Sequence, residues 1–157
     1  MIQRIQTLYL FIPIICLIIV QFGVDVFYLI GDKMYALNAY GIINNTPGQE
    51  TDMIKSLPLF MPIILIVVLL IVSIFYYKNL KNQLNLVKLI AVLYSLLALV
   101  LVIIFLINFN LVEGETEINY KIASGFYFIM MGLPGVILAI QGIKKDLNLL
   151  DSLNRLR

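Results

Sequence analysis

Residues 57–77 read LPLFMPIILIVVLLIVSIFYY, 21 positions without one charge. A membrane helix needs about 20 mostly apolar residues, because the hydrocarbon core is about 30 Å thick and each residue rises about 1.5 Å. Inside lipid the backbone must satisfy its own hydrogen bonds, so this stretch reads as a helix and not as an open strand. Working outward, three more stretches have the same character, at 7–30, 89–107 and 122–143. The last two carry no charge, and the first carries only Asp25. The expected fold class is therefore an all-α membrane protein, a four-transmembrane-helix bundle forming one integral domain over 1–157.

Composition agrees. Of 157 residues 62% are hydrophobic and 13% charged, with a mean hydropathy of +1.01. Soluble domains hold about 45–50% apolar and about 25% charged residues. A core of this size would lack polar surface to cover it, which argues against both a soluble domain and a disordered chain. The chain has no histidine, no tryptophan and one cysteine, Cys16. That removes histidine-ligated metals, histidine-based triads, paired-cysteine redox motifs and a disulfide within the chain. A net charge of +2 implies no nucleic-acid surface. We therefore expect no cofactor, no metal and no catalytic residue.

The basic residues fall unevenly. Arg4, Lys78, Lys81, Lys88, Lys144, Lys145, Arg155 and Arg157 would lie on one side of such a bundle. Lys33, Lys55 and Lys121 would share the other side with six acidic residues. By the positive-inside rule both termini are expected in the cytoplasm, with outer loops at 31–56 and 108–121 and an inner loop at 78–88. The first span resembles the start of a signal peptide, but its apolar run continues into Gln21-Phe22-Gly23-Val24-Asp25 without a small-residue cleavage pair, so retention as an anchor is expected. Asn44-Asn45-Thr46 matches a glycosylation sequon; with Pro47-Gly48 after it, it reads as a turn.

The outer loops are patterned. Residues 33–43 alternate in part and carry aromatics, and Thr116-Glu117-Ile118-Asn119-Tyr120-Lys121-Ile122 alternates at period two. A small antiparallel β-sheet formed by the two outer loops is predicted; the alternative is an irregular loop with a short helix at Glu50–Ser56, and the two can coexist. Pro13, Pro62 and Pro134 are candidate kinks.

Three groups of residues are candidates for function. Gln21 and Asp25, one helical turn apart if the first span stays helical, could form an intramembrane polar site with Lys121 or Lys55, and Tyr28 lies close in sequence. Two readings stand: a structural ion pair, or a proton or ligand site. On the fourth span Ser124, Gly125, Gly132, Gly135, Ala139 and Gly142 share one helical arc of about 100°, at 100° per residue. Small residues let another helix backbone come close, either the first or third span of the same chain or a second copy or partner. Third, Lys78, Lys81, Lys144, Lys145, Arg155 and Arg157 would form a partner or lipid surface. The tail from Lys144 is an amphipathic cytoplasmic C-terminal helix, suited to lying on lipid or to docking a cytoplasmic or membrane protein.

Both ends and the middle carry a resemblance. Met1-Ile2-Gln3-Arg4-Ile5-Gln6 with Tyr9-Leu10, the inner-loop residues Tyr77-Lys78-Asn79 with Lys81 and Gln83, and the tail Ile143-Lys144-Lys145-Asp146 with Ser152 and Arg155-Leu156-Arg157 resemble an uncharacterised, domain-of-unknown-function family of small four-span bacterial inner-membrane proteins. The pattern would place arginine at Leu80 and Asn85, glutamate at Leu147 and aspartate at Asn154. The resemblance implies a topology and a bacterial inner membrane, and no activity. The function expected is a non-enzymatic accessory or scaffold subunit; the alternative is a small transporter or channel-like protein using Asp25 and Gln21.

Overall fold

The computed structural model describes residues 3–30, 34–46, 53–111 and 119–155. In chain order these form α1 (Gln3–Gln21), β1 (Phe27–Ile30), β2 (Met34–Asn38), β3 (Gly41–Asn44), β4 (Met53–Ser56), α2 (Phe60–Phe75), α3 (Leu80–Leu111), β5 (Asn119–Ile122) and α4 (Ser124–Arg155). The apolar helical stretches do become helices, but their ends differ from the expected spans in ways that matter for the site.

The first span is shorter than 7–30. α1 stops at Gln21, where Gly23 takes a φ of +88°. That left-handed conformation suits glycine and turns the chain out of the helix. The next residues, Val26-Phe27-Tyr28-Leu29-Ile30, are mostly β-branched or aromatic, and Phe27–Ile30 enter a sheet. A continuous apolar run cannot separate a buried strand from a buried helix by periodicity, which is why the two merge in the sequence.

The sheet has five strands in the order β4-β3-β2-β1-β5, every neighbour antiparallel. β1 pairs with β2 as Phe27↔Leu37 to Ile30↔Met34, and with β5 as Phe27↔Ile122 to Ile30↔Asn119. Both outer connections therefore contribute to one sheet. Residues 53–56, part of the alternative helix at Glu50–Ser56, form an edge strand with a bulge between Ile42 and Ile43; 50–52 lie outside the described residues, as do 116–118 of the predicted second-loop strand.

One hairpin corner ties the sheet to the helices. Asn38, buried, accepts hydrogen bonds at Oδ1 from the Tyr40 and Gly41 amides at 3.0 and 3.1 Å. Gly41 follows with a φ of +146°. Tyr40 donates its hydroxyl to the Gln21 carbonyl at 3.2 Å, accepts the Leu57 amide at 3.1 Å, and stacks on Phe60 at 5.9 Å. The ends of α1 and α2 are thus pinned by one tyrosine. The expected turn at 44–48 begins with Thr46 donating its amide to Asn44 Oδ1; Pro47 and Gly48 lie outside the described residues.

Each helix packs on two others: α1 on α4 and α2, and α3 on α4 and α2. Their buried residues recur at helical spacing. α1 offers Leu10, Ile14, Leu17 and Val20; α2 offers Ile63, Ile66 and Leu70; α3 offers Val87, Ile90, Tyr94, Leu97 and Leu101. Among the described residues three helices are long and apolar enough to cross a membrane: Phe60–Lys78, Leu80–Ile104 and Ser124–Leu150. The apolar part of α1, Thr7–Gln21, is shorter. Ile64, Leu65 and Val68 of α2 and Leu89, Val92, Leu96 and Leu99 of α3 face outward. Apolar bands of this kind are costly in water and are consistent with a membrane protein.

Two further boundaries shift. The inner loop predicted at 78–88 is mostly helix, because α3 begins at Leu80 and runs 32 residues to Leu111. A 3-10 turn at Tyr76–Lys78 and the single residue Asn79 make the connection. Asn79 caps α3 by accepting the Asn82 amide at Oδ1, 3.4 Å, and its carbonyl accepts the Gln83 amide at 2.9 Å. Pro62 needs no kink. It is the third residue of α2, where a missing N–H leaves no helix bond unmade.

Candidate functional site

Asp25 lies outside every helix, in the connection between α1 and β1. The polar site expected of Gln21, Asp25 and Lys121 is therefore not carried on one helix. Because α1 ends at Gln21, no helical turn carries Gln21 and Asp25 on one face. The half-buried Asp25 accepts the Tyr28 hydroxyl at Oδ2, 2.8 Å, and its backbone carbonyl accepts the Gly125 amide at 2.9 Å. Lys121, exposed, is the cross-strand neighbour of Tyr28. Asp25, Tyr28 and Lys121 therefore share one side of the β1–β5 ladder. Lys55 belongs to β4 at the opposite edge of the sheet. Gln21 lines an apolar groove between α1 and α2 with Ile18, Phe22, Ile63, Ile64 and Val67.

The Asp25 carboxylate, by accepting the Tyr28 hydrogen bond, holds that phenol above its ordinary value of 10.0; desolvation and the nearby negative charge add to the shift. Unfolded, the phenol ionises from about pH 10. Folded, it keeps its proton to higher pH. This contribution to stability is complete below that value and is lost as pH rises through it. Tyr28→Phe is expected to remove this alkaline loss, read as amide exchange of β1 at pH 9 to 11. Coincident profiles for the two proteins would refute the assignment.

The small-residue face of α4 is filled from within the chain. A Cβ on Gly125 would meet the Asp25 carbonyl oxygen at 2.7 Å; one on Gly135 would meet Pro13 Cδ at 2.9 Å and the Tyr9 carbonyl at 3.2 Å. At Gly132 it would meet the Tyr94 ring at 2.8 Å. Ala139 is fully buried, Gly142 half-buried and Ser124 exposed. Gly132 and Gly135 let α1 and α3 reach the α4 backbone, and Gly125 does the same for the α1–β1 connection. Tyr94 completes the contact by donating its hydroxyl to the Ile129 carbonyl at 3.2 Å. The face is thus occupied by this chain's own helices.

At the other end, Lys78, Lys81, Lys88, Lys144 and Lys145 are exposed. Lys78 Nζ stands 6.0 Å from the centroid of the Tyr77 ring. α4 continues without a break from Ser124 to Arg155, so the amphipathic tail is an extension of one helix. The Arg155 side chain and Arg157 lie outside the described residues. Between these cations the interior is polar. Gln83, 3% exposed, donates Nε2 to the Ser73 carbonyl at 3.1 Å and so caps the end of α2. Asp146 is also buried.

In the sequence Gln83 and Asp146 stand out only through the family resemblance, and Tyr94, Asn38 and Tyr40 carry no functional pattern. One signal was present. Extending the small-residue arc of α4 by one turn, from Ala139 and Gly142, lands on Asp146 at 100° per residue. No such signal marks Tyr94 or Asn38, whose partners lie on other elements.

Among the described residues no three His, Cys, Asp or Glu side chains gather to hold a metal ion. Cys16 is a buried free thiol. What the arrangement supplies is a hydrogen-bonded clamp at one end and a cationic rim at the other. No curated protein matches the chain. The profile of a domain of unknown function, DUF4293, matches residues 2–156, so the chain belongs to that family.

Proposed function

We propose that this chain is a non-enzymatic integral protein of a bacterial inner membrane, crossing it four times with both termini in the cytoplasm, and that it serves as an accessory or scaffold subunit. The observation that carries the reading is the separation of its two ends. Lys78, Lys81, Lys144 and Lys145 are exposed near the α2–α3 turn and along the last turns of α4, whereas the five-stranded sheet joins the opposite helix ends. α1 serves as the fourth span. Its apolar part, Thr7–Gln21, covers about 22 Å at about 1.5 Å per residue, and the helix packs on α4 and α2. The exposed cations, on helices that need no partner for their own packing, are the surface offered to a membrane or cytoplasmic protein. The transporter reading loses its motive, since Asp25 sits with the sheet and is held by Tyr28.

Single cysteines in a Cys16→Ser background test the topology. Lys81→Cys and Ser152→Cys are expected to resist an impermeant maleimide added to intact spheroplasts, and Lys121→Cys and Ser56→Cys to react. Labelling of Lys81→Cys and Lys121→Cys from the same side would end the proposal.

A further inference from the structure

The α2–α3 corner carries an open groove of about 510 Å³, lined by Leu69, Tyr76, Asn82, Asn85, Leu86 and Leu89. That volume lies within the range of small-ligand sites, about 300–1,000 Å³. Its lining is graded along the helices. Leu69 and Leu89 lie at one end. Tyr76 and Asn82 lie at the turn, seven residues away on each helix, or about 10 Å at 1.5 Å per residue. Lys81, Asn85 and Lys88 recur at i, i+4 and i+7, so they form one stripe along α3, and all three are exposed. Asn85 belongs to both the stripe and the groove. Lys78 stands exposed at the turn itself.

The depth of Lys88 is what makes this unusual. Gln83 is level with Ser73 through its hydrogen bond, so Lys88, more than a turn further along α3, stands beside the apolar body of α2. A cation there must either stretch its stem toward the aqueous boundary or meet an anion drawn down to it. A groove that passes from leucines to two amides, bordered at Asn85 by the exposed stripe that carries Lys81 and Lys88, matches one chemical object: a phospholipid, with an acyl chain on Leu69, Leu86 and Leu89, its ester region on Asn82 and Asn85, and a negative phosphate near Lys81, toward which Lys88 stretches its stem from the apolar side. The geometry points to this groove as a binding site for an anionic phospholipid of the inner leaflet. The inference rests on the membrane-spanning reading above and deepens it by giving the cationic rim a defined ligand.

The test uses the full chain in mild detergent, with dioleoyl phosphatidylglycerol and dioleoyl phosphatidylcholine as probes and bound lipid counted by native mass spectrometry. The wild-type chain is expected to retain phosphatidylglycerol in preference. K81Q/K88Q is expected to lose about fivefold of that preference for each lysine, the size of one cation at a charged lipid surface. K81R/K88R and K144Q/K145Q are expected to keep it. A photo-crosslinker at Asn85 should yield an adduct heavier by one phospholipid. Absence of preference, a preference carried by Lys144 and Lys145, or an adduct to a protein or to a second copy would each overturn the site. Carbonate extraction separates the two levels: a chain that leaves the membrane refutes the spanning reading and the site with it, whereas a chain that stays but shows no preference refutes the site alone.

Discussion

Gly132→Leu is expected to destabilise the protein by about 3 kcal/mol, at the upper end of what overpacking a close-packed interior costs. Gly132 is buried, and the first atom of any side chain there would run into the Tyr94 hydroxyl and ring and come within 3.4 Å of the Pro13 backbone. Tyr94 has no free direction of escape, being fully buried and bonded to the Ile129 carbonyl. Gly135→Leu should behave alike, because Pro13 and Ile12 close that site. The measurement is loss of helical circular dichroism as SDS is titrated into a mild-detergent solution, with Met131→Leu, an exposed neighbour, as the control expected to match wild type. Adding Tyr94→Phe to Gly132→Ala should restore part of the loss by removing the nearest obstructing atom. If Gly132→Leu unfolds together with wild type, the proposed closeness of α1, α3 and α4 is wrong.

The second large effect is at the sheet. Asn38→Ala strips two backbone amides, those of Tyr40 and Gly41, of their acceptor in a buried corner. Leaving such donors unsatisfied costs about 1–3 kcal/mol each, and we expect a total of about 2 kcal/mol after local relaxation. The loss should be local. Amide exchange at Tyr40, Gly41 and Leu57 should accelerate, and trypsin should gain access at Lys55, while the helical signal of α3 and α4 is retained. Uniform acceleration through all four helices would mean that the sheet and the helices unfold as one unit. Unchanged exchange at Tyr40 would show that Asn38 does not hold the turn.

The parts legible in the sequence are those governed by bulk hydrophobicity and by short periodicity. The uncharged stretches at 57–77 and 89–107 announce α2 and α3, and the alternation ending at Ile122 announces β5. The proximity of Gly132 and Gly135 to other helices, and of Gly125 to the α1–β1 connection, follows from residue size at helical spacing. The errors share a cause. From Val26 to Ile30 the chain is as apolar as any span, so hydropathy alone extends α1 into what is β1. The same apolarity puts Asp25 on the helical face of Gln21 in the sequence, whereas α1 ends before it. The start of α3 was hidden in the opposite way. Residues 80–88 are polar enough to read as loop, yet Asn79 caps a helix there and Gln83 closes the end of α2. Side-chain partners on a different element, such as Tyr94 with Ile129, leave no trace in local pattern.

The pairing of β1 with β5 has a consequence for how the chain is made. Phe27 meets Ile122 and Ile30 meets Asn119, so a strand synthesised early waits for a partner roughly 90 residues later. At about 5–20 residues per second, one border of β1 stays unzipped for about 5–20 s, while α2 and α3 are threaded into place. The last strand acts as a latch that can shut only after the first three helices have been made, and a ribosome halted before residue 119 leaves a strand open to the wrong neighbour.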